Sequence, residues 1–114
     1  MNVEVKPTPA GSTLLAETPE IARVGVIGAG QMGNGITHVC ALAGLSVTML
    51  DVKANALERA VATIDRNMER QVNRKLISED DRLDALSRIR TSMDYADLGE
   101  ADFVIEAATE KEEV

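Results

Sequence analysis

The pattern of apolar and polar positions divides the chain into a stretch without period and a stretch that changes period several times. Met1 to Glu20 holds Pro7, Pro9, Pro19 and Gly11 among Ser, Thr and Glu, and is expected to be a disordered tail. From Arg23 onward the chain is patterned. Val24, Val26 and Ile27 form a short β-branched run, expected as a strand. Gln31 to Ala43 places Met32, Ile36, Val39, Cys40 and Ala43 at helical spacing, which predicts a helix with that face on a sheet, stopped by Gly44. Ser46 to Leu50 is the second expected strand. Leu57, Val61, Ile64, Met68 and Val72 then predict a helix from about Ala54 to Val72. Ser78, with Asp81 three residues on, marks a capped start for a shorter helix carrying Leu83, Leu86 and Ile89. Ile89 to Met93 is a candidate edge strand and Asp94 to Gly99 a turn or short helix. Ala101 to Ala108 is an apolar run bounded by polar residues, expected as a buried parallel strand.

At the first switch from strand to helix, Gly28, Gly30 and Gly33 give G-x-G-x-x-G. Gly28 allows a tight turn, Gly30 has no Cβ to keep a pyrophosphate from the backbone, and Gly33 lets helix and strand pack closely. A diphosphate on this turn would meet the free N–H groups and partial positive charge of the helix start. Asp51 closes the second strand, 18 residues past Gly33, where an acid can accept hydrogen bonds from an adenosine ribose. The bland alternative is three glycines in a structural turn and a solvated Asp51. A carboxylate at this position repels the 2′-phosphate of NADP, so NAD is expected as cofactor, with Lys53 close enough to soften the discrimination. The expected fold class is α/β, a Rossmann-type parallel sheet of order 3-2-1-4 with a helical hairpin inserted after strand 2 and the second half of the sheet missing. Ala107, Ala108, Thr109 and Glu110 would line the crevice opposite the glycine turn.

A chain of 114 residues, 45% hydrophobic and 27% charged, fits one globular domain, expected over 21–114 after the tail. With one Tyr and one Phe the core must be aliphatic, and one cysteine, Cys40, excludes an internal disulfide framework. The net charge of −7 argues against a nucleic-acid or anionic-membrane surface. Its distribution is uneven: −2 over residues 1–52, +3 over 53–75 and −8 over 76–114. The basic island suits either an anionic ligand or a solvated helix face. No secretory signal, arginine-rich address or membrane-length apolar stretch is present, so the protein is expected in the cytoplasm. The acids from Glu110 onward read as the first turn of a helix that is not completed, which suggests a fragment of a longer protein. Alone, the chain is expected to be marginally stable or self-associating, and a sharp, concentration-independent thermal transition of a monomer would count against that.

The run Val24 to Ile36 with its glycines, Leu50 to Val52, Ile64 to Met68, and Asp102 to Ala107 together resemble the 3-hydroxyacyl-CoA dehydrogenases, in particular their bacterial 3-hydroxybutyryl-CoA branch. The resemblance spans about residues 22–114 and includes the hairpin. It implies an NAD-dependent oxidoreductase interconverting 3-hydroxyacyl-CoA and 3-ketoacyl-CoA in fatty acid metabolism, dimeric through a further helical domain. Gly28, Ala29, Gly30, Gln31, Met32 and Gly33 would then take the pyrophosphate and Asp51 the adenosine ribose. Ala107 and Glu110 would stand on the nicotinamide side. Asn67 and Arg74 match hairpin positions on the CoA side, and Lys53, at the head of the basic island, joins them as a substrate-side candidate. The family commonly has Asn where this chain has Lys111. The family's catalytic His and Glu would lie beyond this chain, so no catalytic residue is assigned within it, and the chain alone should be inactive. His38, the only histidine, is expected to be a surface or packing residue. The rival readings are a 6-phosphogluconate-type β-hydroxyacid dehydrogenase and a non-catalytic NAD-binding module.

Overall fold

The structure, a computed structural model, describes residues 22–108. The expected tail over 1–20 and the crevice positions Thr109 and Glu110 lie outside the described residues. At the centre runs β1 (Arg23–Ile27), which pairs in parallel with β2 (Ser46–Leu50) on one side and β4 (Phe103–Glu106) on the other. β3 (Ile89–Ser92) adds to the far edge of β2, also in parallel, giving the order β3-β2-β1-β4. This is the expected order.

Side chains alternate across a strand, so the register sorts the sheet into two faces. Val24 and Val26 share a face with Val47, Met49 and Ile105, and all five are buried in one core with residues of three helices. Those helices are α1 (Gln31–Leu42), α2 (Ala54–Asn73) and α3 (Glu79–Ser87). Leu57, Ala60, Ile64 and Met68 of α2 and Ala85 of α3 complete the cluster. As the composition requires, the core is built of aliphatic residues and methionine. The opposite face carries Gly25, and a Cβ there would come within 2.7 Å of Leu98 Cδ2. The 3-10 turn over Tyr95–Leu98 therefore lies over that face at the middle of β1.

Two expected faces are corrected. The stripe of α1 that faces the core is Gly33, Thr37 and Ala41, not Met32, Val39 and Ala43, which are exposed; Val39 is 66% accessible. Ile36 and Cys40 flank that stripe, half-buried. Helix and sheet approach so closely here that small residues make the contact, and hydrophobicity alone points about one residue off the true line. In α3 it is Ala85 that is buried, whereas Leu83 is 51% exposed. The expected burial of Ala101 to Ala108 holds at Ile105 and Ala107, whereas Val104 is 37% accessible.

The α2–α3 hairpin is held by local polar chemistry. Ser78 Oγ accepts from the Asp81 N–H at 3.0 Å, and the Asp81 carboxylate accepts from the Ser78 N–H at 2.9 Å, the reciprocal capping box that the sequence signals. Arg82 then bridges Asp65 of α2 and Glu79 of α3. The Ser78 N–H holds the Asp81 carboxyl below its usual range. A depressed carboxyl stabilises the fold fully above its unfolded value and loses that contribution as the pH falls through its folded value.

Two predictions follow from this packing. Gly33→Ala is expected to destabilise the fold by at least about 2 kcal/mol, because its Cβ would sit far inside contact distance of the Gly28 carbonyl oxygen. Gly35→Ala, in the same helix with nothing within 4 Å of its Cβ, is expected to stabilise by about 0.5–1 kcal/mol. Urea unfolding of the two variants checks the pair. For the hairpin, the stability gap between the wild-type chain and Asp81→Ala is expected to be open at neutral pH and to narrow as the pH falls below the ordinary aspartate value of about 4, because only the wild type has this carboxylate's contribution to lose. Urea midpoints across that range read it directly, and a gap independent of pH would contradict the assignment.

Candidate functional site

The carboxyl ends of β1, β2 and β4 meet at one point, and the glycine turn sits on it. Gly28, at φ +112°, donates its N–H to the Leu50 carbonyl at 2.7 Å. Ala29 donates its N–H to Asp51 Oδ2 at 2.9 Å, and Asp51 Oδ1 accepts the Lys53 N–H at 3.0 Å. On the other side Ala107 donates its N–H to the Ile27 carbonyl at 2.8 Å, and a Cβ on Gly28 would come within 2.8 Å of the Ala108 nitrogen. The turn is thus wedged between the ends of β2 and β4 with no room for a side chain.

Helix α1 begins directly behind it. Gly30 is its N-cap, without a side-chain cap, and no acidic residue stands in the first turn. The first intrahelical bond of this end is Asn34 N–H to the Gly30 carbonyl at 2.9 Å. The N–H groups of Gln31, Met32 and Gly33 therefore have no intrahelical acceptor, and the positive end of the helix is uncompensated. A Cβ on Gly30 would meet nothing within 4 Å. The space in front of it belongs to an open cleft of about 830 Å³, lined by the glycine turn, by Asp51 and Lys53, by Ala107 and Ala108, and by Arg59 and Thr63 of α2. A backbone cradle with free N–H groups, a void at the glycine that would otherwise carry a side chain, and a carboxylate at the far rim suit a dinucleotide diphosphate and its ribose.

Among the residues singled out from sequence, Gly28, Ala29, Gly30, Gln31, Met32, Asp51, Lys53 and Ala107 come together in this cleft. Gly33 stands behind the turn as the point of closest helix–strand approach. Asn67 and Arg74 do not join them. Lys53 is the N-cap of α2 and Arg74 its C-cap, so this helix of 20 residues separates them by about 30 Å. The Asn67 side chain accepts from Arg70 Nη1 at 2.7 Å. The wall formed by Ala56, Arg59, Ala60 and Thr63 was not singled out from sequence as part of the site. Its signal is a stripe of small residues and one cation at helical spacing beside the apolar stripe of α2. His38 is absent from the cleft: its Nε2 donates to Gln71 Oε1 at 2.7 Å, joining α1 to α2. Burial pushes the Cys40 thiol up.

A parallel sheet in this order, with a glycine turn feeding an uncapped helix and an acid closing β2, defines a Rossmann-type dinucleotide-binding domain. Residues 23–114 match the family model described as 3-hydroxyacyl-CoA dehydrogenase, NAD binding domain, and the chain belongs to that family. It is 54% identical over 94 residues to a 3-hydroxybutyryl-CoA dehydrogenase of Bradyrhizobium diazoefficiens, covering 82% of this chain and 32% of that protein. It is 37% identical over 95 residues to a fatty acid oxidation complex subunit alpha of a Psychrobacter species, covering 83% of this chain and 13% of that protein. The crystal structure of (S)-3-hydroxybutyryl-CoA dehydrogenase from Ralstonia eutropha superposes with a TM-score of 0.78 at 44% identity, over 82% of this chain and 33% of that one. The chain spans about a third or less of the length of these relatives. Among the described residues no helix is long and apolar enough to cross a membrane.

Proposed function

We propose that this chain is the NAD-binding part of an NAD-dependent 3-hydroxyacyl-CoA dehydrogenase that interconverts 3-hydroxybutyryl-CoA and its 3-keto counterpart. The observation that carries the reading is the cleft in front of Gly30, where an uncapped helix start and the Asp51 carboxylate face one void. The family match and the 3-hydroxybutyryl-CoA dehydrogenase relatives support the choice of reaction. NAD, when bound, supplies the hydride acceptor. The residues of this chain bind and orient it. The backbone from Gly28 to Gly33 takes the diphosphate, with the N–H groups of Gln31 and Met32 as donors. Asp51, whose carboxylate is already held by two backbone N–H groups, offers its remaining lone pairs to the adenosine ribose. Ala107 stands on the nicotinamide side, and the family resemblance implies a contact there for Glu110.

Asn67 and Arg74 face the CoA portion from the far half of the hairpin, and Lys53 is the cation nearest the cofactor end. The family resemblance implies that the proton of the substrate hydroxyl is exchanged by a histidine outside this chain; His38 is tied to Gln71 and lies off the cleft. The parent enzyme is a cytoplasmic homodimer in this reading.

The test is a fluorescence titration of the purified chain with NADH and NADPH. NADH is expected to bind at least about tenfold more tightly, the equivalent of about 1.4 kcal/mol. Gly30→Val is expected to leave the thermal midpoint unchanged, since its Cβ meets nothing in the fold, and to abolish most of the NADH binding. If the variant binds NADH as well as the wild type, the diphosphate is not at this turn. The parent enzyme should oxidise NADH in the presence of acetoacetyl-CoA and not with a free hydroxyacid's keto form.

A further inference from the structure

Three titratable side chains line the dinucleotide cleft: Asp51, Lys53 and Arg59. One is an anion and two are cations, and the uncapped start of α1 adds partial positive charge to the same space. The anion is fixed, because both Asp51 oxygens accept backbone N–H groups, from Ala29 and Lys53. The cations are not held in this way. Lys53 and Arg59 are both exposed, and neither takes part in an ion pair or side-chain hydrogen bond among the described residues. Lys53 caps α2 and Arg59 stands about one and a half turns further along it, on the stripe with Ala56 and Thr63 that forms the cleft wall. Two unpartnered cations beside a ribose-binding carboxylate are more positive charge than a ribose requires.

We propose that Lys53 and Arg59 form a phosphate subsite at the ribose end of the cleft, and that Asp51 alone keeps it closed to the 2′-phosphate of NADP. The inference rests on the dinucleotide reading of the cleft given above. In the wild-type chain the fixed carboxylate repels a phosphate at the ribose 2′ position, and the two cations contribute only to the general field. With Asp51 replaced by a neutral group, Arg59 supplies a planar, two-pronged donor and Lys53 a point charge, the pair of groups that binds a phosphate dianion. Asp51→Asn keeps an acceptor for the Ala29 N–H, so the turn retains its tie to β2.

The experiment is a titration of the full chain with NADH and NADPH, which differ only in the 2′-phosphate, for the wild type, Asp51→Asn and Asp51→Asn/Arg59→Gln. Asp51→Asn is expected to tighten NADPH binding by at least about tenfold, the scale of one charge-assisted hydrogen bond. Adding Arg59→Gln is expected to remove most of that gain, and adding Lys53→Gln the remainder. A gain in NADPH affinity that survives both substitutions overturns the proposal, as does no gain in an Asp51→Asn chain that still binds NADH. Should Asp51→Asn not fold, the same titrations are made on Asp51→Ser and Asp51→Ser/Arg59→Gln, and a gain in NADPH affinity that Arg59→Gln leaves intact, or no gain in an Asp51→Ser chain that still binds NADH, overturns it. Failure of the wild-type chain to bind NADH would instead count against the cofactor reading itself.

Discussion

The structure depends on one close approach, that of Gly33 in α1 to the Gly28 carbonyl at the end of β1. No side chain fits between them, so the helix is drawn directly onto the sheet at its first turn. The same approach sets the burial of the rest of α1: the inner stripe continues as Thr37 and Ala41, both small enough to keep the axis close. Because the helix starts so near the strand end, its unpaired N–H groups open at the mouth of the crevice instead of above the sheet. A larger residue at this contact would move the donor array relative to Asp51 and Ala107, which are fixed by the ends of β2 and β4.

The polar groups around the turn are placed by the strands they end. Leu50 and Asp51 hold Gly28 and Ala29 through two bonds, and Ile27 holds Ala107 through a third. Two of these three bonds are backbone to backbone, and the third uses only the short Asp51 carboxylate. The hairpin differs, since its order comes from the capping box and from Arg82 between two carboxylates. The cofactor end is thus organised by backbone register, and the hairpin by short-range side-chain chemistry.

Much of this is written in the sequence in local terms. The switch from β-branched run to glycine turn to helical period fixes β1, α1 and β2, and the Asp that closes β2 stands in the cleft. Ser78 and Asp81 announce the start of α3. What could not be read there is contact between small residues. Gly33, Thr37 and Ala41 carry little hydrophobic signal, so the more apolar Met32 and Val39 point to a face that is exposed. Ala85 is buried in place of Leu83 for the same reason. The α2 wall of the cleft was hidden similarly: Ala56 and Ala60 are inconspicuous, and Arg59 is one of several cations on the helix until the fold shows which way it stands. The island therefore read as one feature, although the length of α2 divides it between two ends of the molecule.

The bond between Asp51 and the Ala29 N–H has a mechanical side. A single carboxylate holds the glycine turn and also stands at the rim of the cleft, so the two ends of the proposed ligand site share a link. Any group that pulls on Asp51 from the rim also pulls on the peptide at the head of the turn. On the proposed reading, the adenosine end and the diphosphate end of a dinucleotide would meet one connected unit, not two independent subsites.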